Sequence, residues 1–463
     1  MLEKILDINA AINNVVWGVP MLIIVVGTGL YYTLRLNFFQ FRKFKYAWKN
    51  LLHGISKKDS ASGSITPVQA LTTALASCVG TGNVAGVVGA ISLGGPGALL
   101  WMELVACVGM ITQFAEITLA IKFREKNDKG DWVGGPMYYI KNGLGENWKW
   151  LAFLFALFGV LACPGTGNLI QINAIVVAVV SAFNSINPAT ADYNTMIRLI
   201  VGIIVAAILM FVYIGGIKRI GRVAERVVPF MAALYIIAGF VIIILNIGRL
   251  PSVISSIFVG AFNPRAVLGG VAGIAFKDTL RRGISRGVNS NEAGMGSAPL
   301  GHAAAETNHP VQQGLYGIIG VFMDTIIVCT MTGFIILMSG VEIPYGTSLG
   351  VQLTINAFAT TFGAVGSSLV MAIILSFFCF STILGWGLYG ARCAEYLWGS
   401  KAIIPYQVLF CLILIIGAVM DLQIAWDITD TLNALMIFPN IIALLLLSPV
   451  VINLVKEYFA DKN

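Results

Sequence analysis

The apolar run from Pro67 to Leu93 is interrupted in its middle by Gly80-Thr81-Gly82-Asn83. A run of that length can cross a bilayer as a helix. Two glycines and a small hydroxyl residue at mid-depth let its backbone open, and opened peptide groups in hydrocarbon are tolerated only where they line a cavity or hold a polar ligand. Two readings follow. Gly82 and Gly86 also form a small-xxx-small face of the kind that brings membrane helices together, so close packing without any ligand is the plainer alternative. Asn83 favours the opened helix, because its amide adds a side-chain oxygen to the freed carbonyls.

The rest of the chain has the composition such a segment needs. Hydrophobic residues make up 57% of the 463 and charged residues 11%, with a mean hydropathy of +0.85. These values lie outside the range of soluble domains and describe a polytopic membrane protein. The net charge of +7 does not point to nucleic acid, because the basic residues lie in short segments between apolar runs, where they set orientation. Seven cysteines (Cys78, Cys107, Cys163, Cys329, Cys379, Cys393, Cys411) lack any CxxC or zinc spacing and read as small buried hydrophobes. The first apolar run, Val15 to Leu34, has no small-residue cleavage site before the basic cluster and reads as an uncleaved anchor.

From Phe38 to Leu52, aromatic and basic residues alternate, as in a segment lying on a membrane surface. After the broken run, the spacing predicts helices at about Ala98–Phe123, Leu151–Phe183, Thr195–Ile214, Val227–Asn246, Gly314–Met338, Ser367–Tyr396, Ile403–Val419 and Leu432–Val455. Glu103, Gln113 and Glu116 in the first of these should face protein or water. Cys163-Pro164-Gly165-Thr166-Gly167-Asn168 echoes the first break, with a ligand-free proline kink as its alternative. Lys218, Arg219, Arg222 and Arg226 read as a basic connection, Gly269 to Gly273 as a glycine-dense helix start, and Gly287 to Pro310 as a long polar loop with solvated His302 and His309. Glu342 to Thr361 reads as an external amphipathic loop. Asp324 and the pair Ser381-Thr382 fall inside spans, where polar groups have either structural or functional partners.

Eleven spans with the N-terminus outside place most of the 29 Lys and Arg on one face, with the C-terminus cytoplasmic. Setting the first span aside leaves five and five. An odd number makes the two halves enter from opposite sides, as in the inverted repeats of alternating-access transporters. The expected organisation is residues 1–66, an N-terminal span and basic segment; 67–250, the first five-helix repeat; and 251–463, the second.

A set of motifs spread over nearly the whole chain narrows this further: Gly80-Thr81-Gly82-Asn83-Val84-Ala85-Gly86, Gly94-Gly95-Pro96-Gly97-Ala98 running to Trp101-Met102, Gly134-Gly135-Pro136-Met137-Tyr138-Tyr139, Asn291-Glu292-Ala293-Gly294-Met295-Gly296-Ser297-Ala298-Pro299, and His309-Pro310. With these, the chain resembles the alanine or glycine:cation symporter family, sodium-coupled carriers of the amino acid-polyamine-organocation superfamily with the leucine-transporter fold. Glu103 departs from the pattern, standing where an aromatic is expected. The resemblance implies a multi-pass prokaryotic cell-membrane protein, monomeric in the lipid bilayer, that imports a small neutral amino acid, alanine or glycine, with Na+. Physical chemistry then distributes the roles. A zwitterion needs donors for its carboxylate and acceptors for its ammonium, and the two ends of a broken helix supply both. Backbone groups at Gly80, Thr81 and Gly82 are expected to hold the carboxylate, and carbonyls near Cys78 and from Gly270 to Gly273 the ammonium. Gly165, Thr166 and Gln171 would complete the pocket, with Phe276 on its apolar side.

By similarity to the fold, one sodium is expected between the carbonyls of Ala76 and Val79 and the hydroxyls of Ser381 and Thr382. A second would lie near Asn83 with Asp324 or Thr325, although no hydroxyl is legible on the helix after Gly269 where the fold would provide one. Three rivals remain at this stage. A proton-coupled carrier of the same fold would use Lys277 or Asp324. A channel would need a repeated polar ring, and an enzyme a clustered acid, base or metal set; the three histidines are scattered.

Overall fold

The computed structural model describes residues 2–56, 65–268, 274–347, 349–420 and 423–460. Nearly all of it is helical, because a chain this apolar must satisfy its backbone groups within each segment. Among the described residues eight helices are long and apolar enough to span a membrane, and the bent pair Pro67–Cys78 and Gly82–Gly94 makes a ninth. Two further segments of the expected eleven fall below that length: Val19–Arg35, and Phe276–Asn291 with the short helix Ala298–His302 beyond it. The only paired strands among the described residues are Glu125–Lys126 and Trp132–Val133.

The Ala98–Lys122 helix has the expected limits, is largely buried, and packs against Pro310–Val321 and Phe276–Asn291 at the centre of the molecule. Its entry turn is tight. A Cβ on Gly97 would run into the backbone of Gly260 and Ala261, which belong to the Leu250–Phe262 helix. Backbone cannot swing aside as a side chain can, and overpacking of this kind costs about 1–3 kcal/mol or more. Gly97→Ala is therefore expected to lower the melting temperature and the monodisperse yield of the detergent-solubilised protein, whereas Gly27→Ala, with nothing within 4 Å of its Cβ, leaves both unchanged.

Several connections expected as loops are helical. The basic residues Lys218 to Arg226 lie on the first turns of the Gly216–Leu245 helix, because nothing between Gly216 and Pro229 breaks a helix. Glu342 to Thr361 does not stay open either: a helix starts at Val351 and continues to Trp398 across a kink at Gly363 (φ 72°). The last predicted helix divides into Gln423–Leu446 and Ser448–Ala460. The first apolar run is preceded by a separate helix, Leu2–Val16, whose Asn13 Nδ2 donates to Thr431 Oγ1 (3.0 Å). The surface segment forms helices Phe39–Arg42 and Phe44–Ser56.

The largest difference is at Gly287 to Pro310. Instead of a mobile loop, these residues continue the Phe276–Asn291 helix, interrupt it, and resume at Ala298, with nearly every residue from 287 to 305 buried. His302 is 1% exposed and its Nδ1 lies 2.8 Å from Gln313 Nε2; His309 Nδ1 accepts from Val311 N and caps the next helix. Polar residues here are core residues. Their partners are other polar groups of the same interior, which a linear reading cannot see.

Candidate functional site

The site begins where the Pro67–Cys78 helix stops. Thr66 caps its start in a capping box with Gln69, Val79 leaves helical geometry (ψ 95°), and the chain restarts through a π-helical turn, Gly82–Gly86, bent by 52°. The expected break is therefore present. The packing alternative holds at one of its two glycines: a Cβ on Gly82 would lie 3.5 Å from Ser290 Cα of the Phe276–Asn291 helix, whereas one on Gly86 would meet nothing within 4 Å. A further break of this kind lies at Glu292 to Ser297; Gly269 to Gly273 lie outside the described residues. Glu292 (φ 59°), Gly294 (φ 92°) and Gly296 (φ 79°) take left-handed backbone there, which ends one helix and starts the next. Glu116 holds this break in place. Its Oε1 accepts from Gly294 N and Gly296 N, both at 3.1 Å, and from Asn440 Nδ2 at 2.5 Å.

Between the two breaks lies a cavity of about 50 Å³. Cys78, Thr81, Gly82, Thr166 and Gln171 of the expected pocket line it, together with Thr382, expected as an ion ligand; Gly80 and Gly165 do not line it. Gln171 joins the parts: its Oε1 accepts from Thr81 N (3.2 Å), and its Nε2 donates to Thr81 Oγ1 (2.9 Å) and Thr166 O (3.1 Å). Gly80 N donates to Asn83 Oδ1 at 2.9 Å. Both donors at the break are thus held by neutral amide oxygens. Gly165 opens a π-helical turn, Gly165–Leu169, inside the 41-residue helix Glu146–Ile186, so the second glycine motif bends a continuous span and does not break it. A Cβ on Gly165 would run into Thr429.

Phe276 is not brought to the cavity. It is 44% exposed at the start of its helix, edge-on to Trp101, whereas the cavity is reached by Arg286, Asn289 and Glu292 of the same segment. Ten residues of helix separate Phe276 from Arg286, about 15 Å. Gly270 and Gly273 lie outside the described residues.

The residues missed by sequence reasoning are mostly charged or aromatic. Glu292 accepts from Trp386 Nε1 (3.0 Å) and from Ser297 Oγ, and all of its surface but 2% is buried. Arg286 and Asp430, 3.6 Å apart, bridge the two helices that flank one end of the cavity, and Asn433 Oδ1 accepts from Thr166 Oγ1 (2.8 Å). Assigning Gly287 to Pro310 to a loop hides Glu292, which only the unusual cost of a carboxylate between apolar runs signals.

Two oxygen clusters flank the cavity. At the first, Thr382 Oγ1 lies 3.1 Å from Val79 O and 3.0 Å from Phe378 O. Ser381 turns away, bonding Phe378 O (2.8 Å) beside Met231 Sδ (3.3 Å), and Ala76 is buried one turn before Val79. At the second, Asp324 sits in a π-helical segment, Phe322–Cys329, and gathers Asn83 Nδ2 (2.7 Å), Ser290 Oγ (2.8 Å) and Thr325 Oγ1 (2.9 Å). Ser290 brings a hydroxyl to this cluster from the Phe276–Asn291 helix, in the polar stretch that reads as loop from sequence. Lys277 is exposed on the first turn of that helix, away from both clusters.

Similarity to known proteins agrees with this architecture. The chain is 44% identical over 451 residues to the sodium/alanine symporter AgcS of Methanococcus maripaludis, covering 96% of each protein. It is also 44% identical over 454 residues to an uncharacterised transporter of Haemophilus influenzae, covering 98% of this chain and 96% of that one. Among solved structures it resembles MhsT in complex with L-phenylalanine, with a TM-score of 0.58 at 15% identity over 84% of this chain and 90% of that one; this likeness carries the leucine-transporter fold alone. With two interrupted helices meeting at a polar cavity and a family match over residues 2–463, the chain belongs to the sodium:alanine symporter family, cation-coupled amino acid transporters of the membrane rather than enzymes.

Proposed function

We propose that this protein imports a small neutral amino acid, alanine or glycine, together with Na+ by alternating access. The observation that carries the reading is the cavity of about 50 Å³ between two broken helices, with paired amide placeholders on its backbone donors and a carboxylate opposite. The substrate carboxylate replaces Gln171 Oε1 at Thr81 N. A charge-assisted bond to the same donor is about twice as strong as the neutral one it displaces. The ammonium goes to Glu292 and the carbonyl end at Cys78. So little room favours a side chain no larger than methyl.

In this reading one sodium takes the Val79 carbonyl and the Thr382 hydroxyl, with Ala76 O and a rotated Ser381 completing a hard-oxygen set. These ligands belong to the broken span and the Val351–Trp398 helix, so binding the ion favours one mutual arrangement of the two. A second cation site is the cluster of Asn83, Ser290, Asp324 and Thr325. The repeats at 67–250 and 251–463 move against each other, with the basic face cytoplasmic.

Uptake of labelled alanine and glycine into proteoliposomes, with sodium replaced by choline at fixed pH, tests the coupling. Uptake is expected to need sodium, and Thr382→Ala to raise the half-saturating sodium concentration about tenfold with folding unchanged, the loss of one ~1.4 kcal/mol ligand interaction. Uptake that persists without sodium and follows an imposed pH gradient would instead assign the coupling to protons, with Asp324 as the buried carboxylate that carries them.

A further inference from the structure

A second cavity, of about 280 Å³, opens among the ends of the Asn194–Ile214, Gly216–Leu245, Val351–Trp398 and Ile403–Val419 helices, apart from the one at the broken span. Its wall has two chemistries. Isoleucines such as Ile214 and Ile404 form one side, and Lys129, Arg392 and Gln407 the other. Ile214 and Ile404 are 75% and 62% exposed, so the apolar side runs out onto the flank that meets acyl chains.

The polar side is built, not incidental. Gln407 is 6% exposed, yet its amide lines the cavity and makes no hydrogen bond among the described residues. Arg392, also 6% exposed, commits Nη1 to Glu395 Oε2 at 2.6 Å, one of the five donors a guanidinium carries. Lys129 is held over the mouth by Asn127, whose Oδ1 accepts from Lys129 N (3.0 Å) and Asp131 N (2.9 Å). The Asn127 amide in turn donates to Glu395 Oε1 (2.8 Å), tying this loop to the helix end that carries Arg392. Asp131 shares the mouth.

We propose that this cavity is a binding site for an anionic phospholipid. Its phosphodiester lies among Lys129, Arg392 and Gln407, and one acyl chain follows Ile214 and Ile404. Phosphate oxygens accept from a guanidinium and an amide together, and basic pockets between spans on the positively charged face of a membrane protein attract anionic headgroups. A soluble anion satisfies the donors but leaves the isoleucines uncovered.

Native mass spectrometry of the full chain in detergent tests this, with phosphatidylglycerol or phosphatidylcholine of identical acyl chains added, and inorganic phosphate as a separate competitor. Phosphatidylglycerol is expected to be retained in preference. Lys129→Gln should weaken its retention about fivefold, the ~1 kcal/mol that one basic residue contributes beside an anionic lipid. Gln407→Leu should weaken it also, and Asp131→Asn should strengthen it. Lys129 and Asp131 lie outside the packed spans, so these two variants remain informative even if Gln407→Leu misfolds. Equal retention of the two lipids, identical behaviour of the Lys129 and Asp131 variants, or complete displacement by inorganic phosphate would each overturn the proposal.

Discussion

Replacing Gly80 with alanine is expected to reduce uptake by on the order of a hundredfold, the loss that a 1 Å misplacement at a working site can bring, while the protein still folds. A Cβ at this position runs into Thr382 Oγ1 and lies 3.0 Å from Gln171 Oε1. Those two groups are the hydroxyl that meets Val79 O and the amide that occupies Thr81 N, so one methyl displaces both the proposed ion ligand and the proposed carboxylate placeholder. The rest of the molecule has little reason to change, because the methyl enters beside a cavity and meets side chains rather than backbone. Uptake and sodium-dependent alanine binding should fall together, with a melting temperature close to that of the unaltered protein. Gly27→Ala is the control, since its Cβ meets nothing within 4 Å and it does not line the cavity. Equal activity of the two variants would remove the break from the mechanism.

Asp324→Ala is expected to have the largest effect on stability. Asn83, Ser290 and Thr325 all donate to this one carboxylate, and each of the four residues is at most 1% exposed. Removing the acceptor takes the carboxylate from three buried donors at once, leaving Asn83 Nδ2 with Ser290 Oγ and Asp324 O, and Ser290 with Cys329 Sγ, as weaker partners. Breaking a buried charged interaction on one side costs about 3–5 kcal/mol. The variant should lose most of its folded yield and melt well below the unaltered protein. Asp324→Asn keeps an acceptor oxygen and the volume, so it should fold better. Its value lies in the charge it removes: in the proposed reading the steepness of uptake against sodium concentration falls, whereas a purely structural aspartate leaves the curve unchanged.

Much of the spanning architecture was legible because a membrane helix must be apolar along its whole length. The Ala98–Lys122 and Ile403–Val419 helices were read to within a residue or two, and Gly80-Thr81-Gly82-Asn83 was read as a break from glycines that a helix in lipid has no cause to collect. The same rule failed where polarity was assumed to mean exposure. Gly287 to Pro310 and Lys218 to Arg226 read as connections because they are hydrophilic, and only the fold shows that the first is core and the second a helix start.

The amino-acid order by itself determined that this chain crosses a membrane many times and that one crossing is interrupted, because each depends on the local match between side chains and lipid or water. Only the tertiary structure decided that Glu292, Trp386, Arg286 and Asp430 meet at the same cavity, that Glu116 pins the second interruption, and that Phe276 stands apart from both. Contacts between residues a hundred or more positions apart follow from how helices rotate and pack against one another. No local pattern carries that rotation.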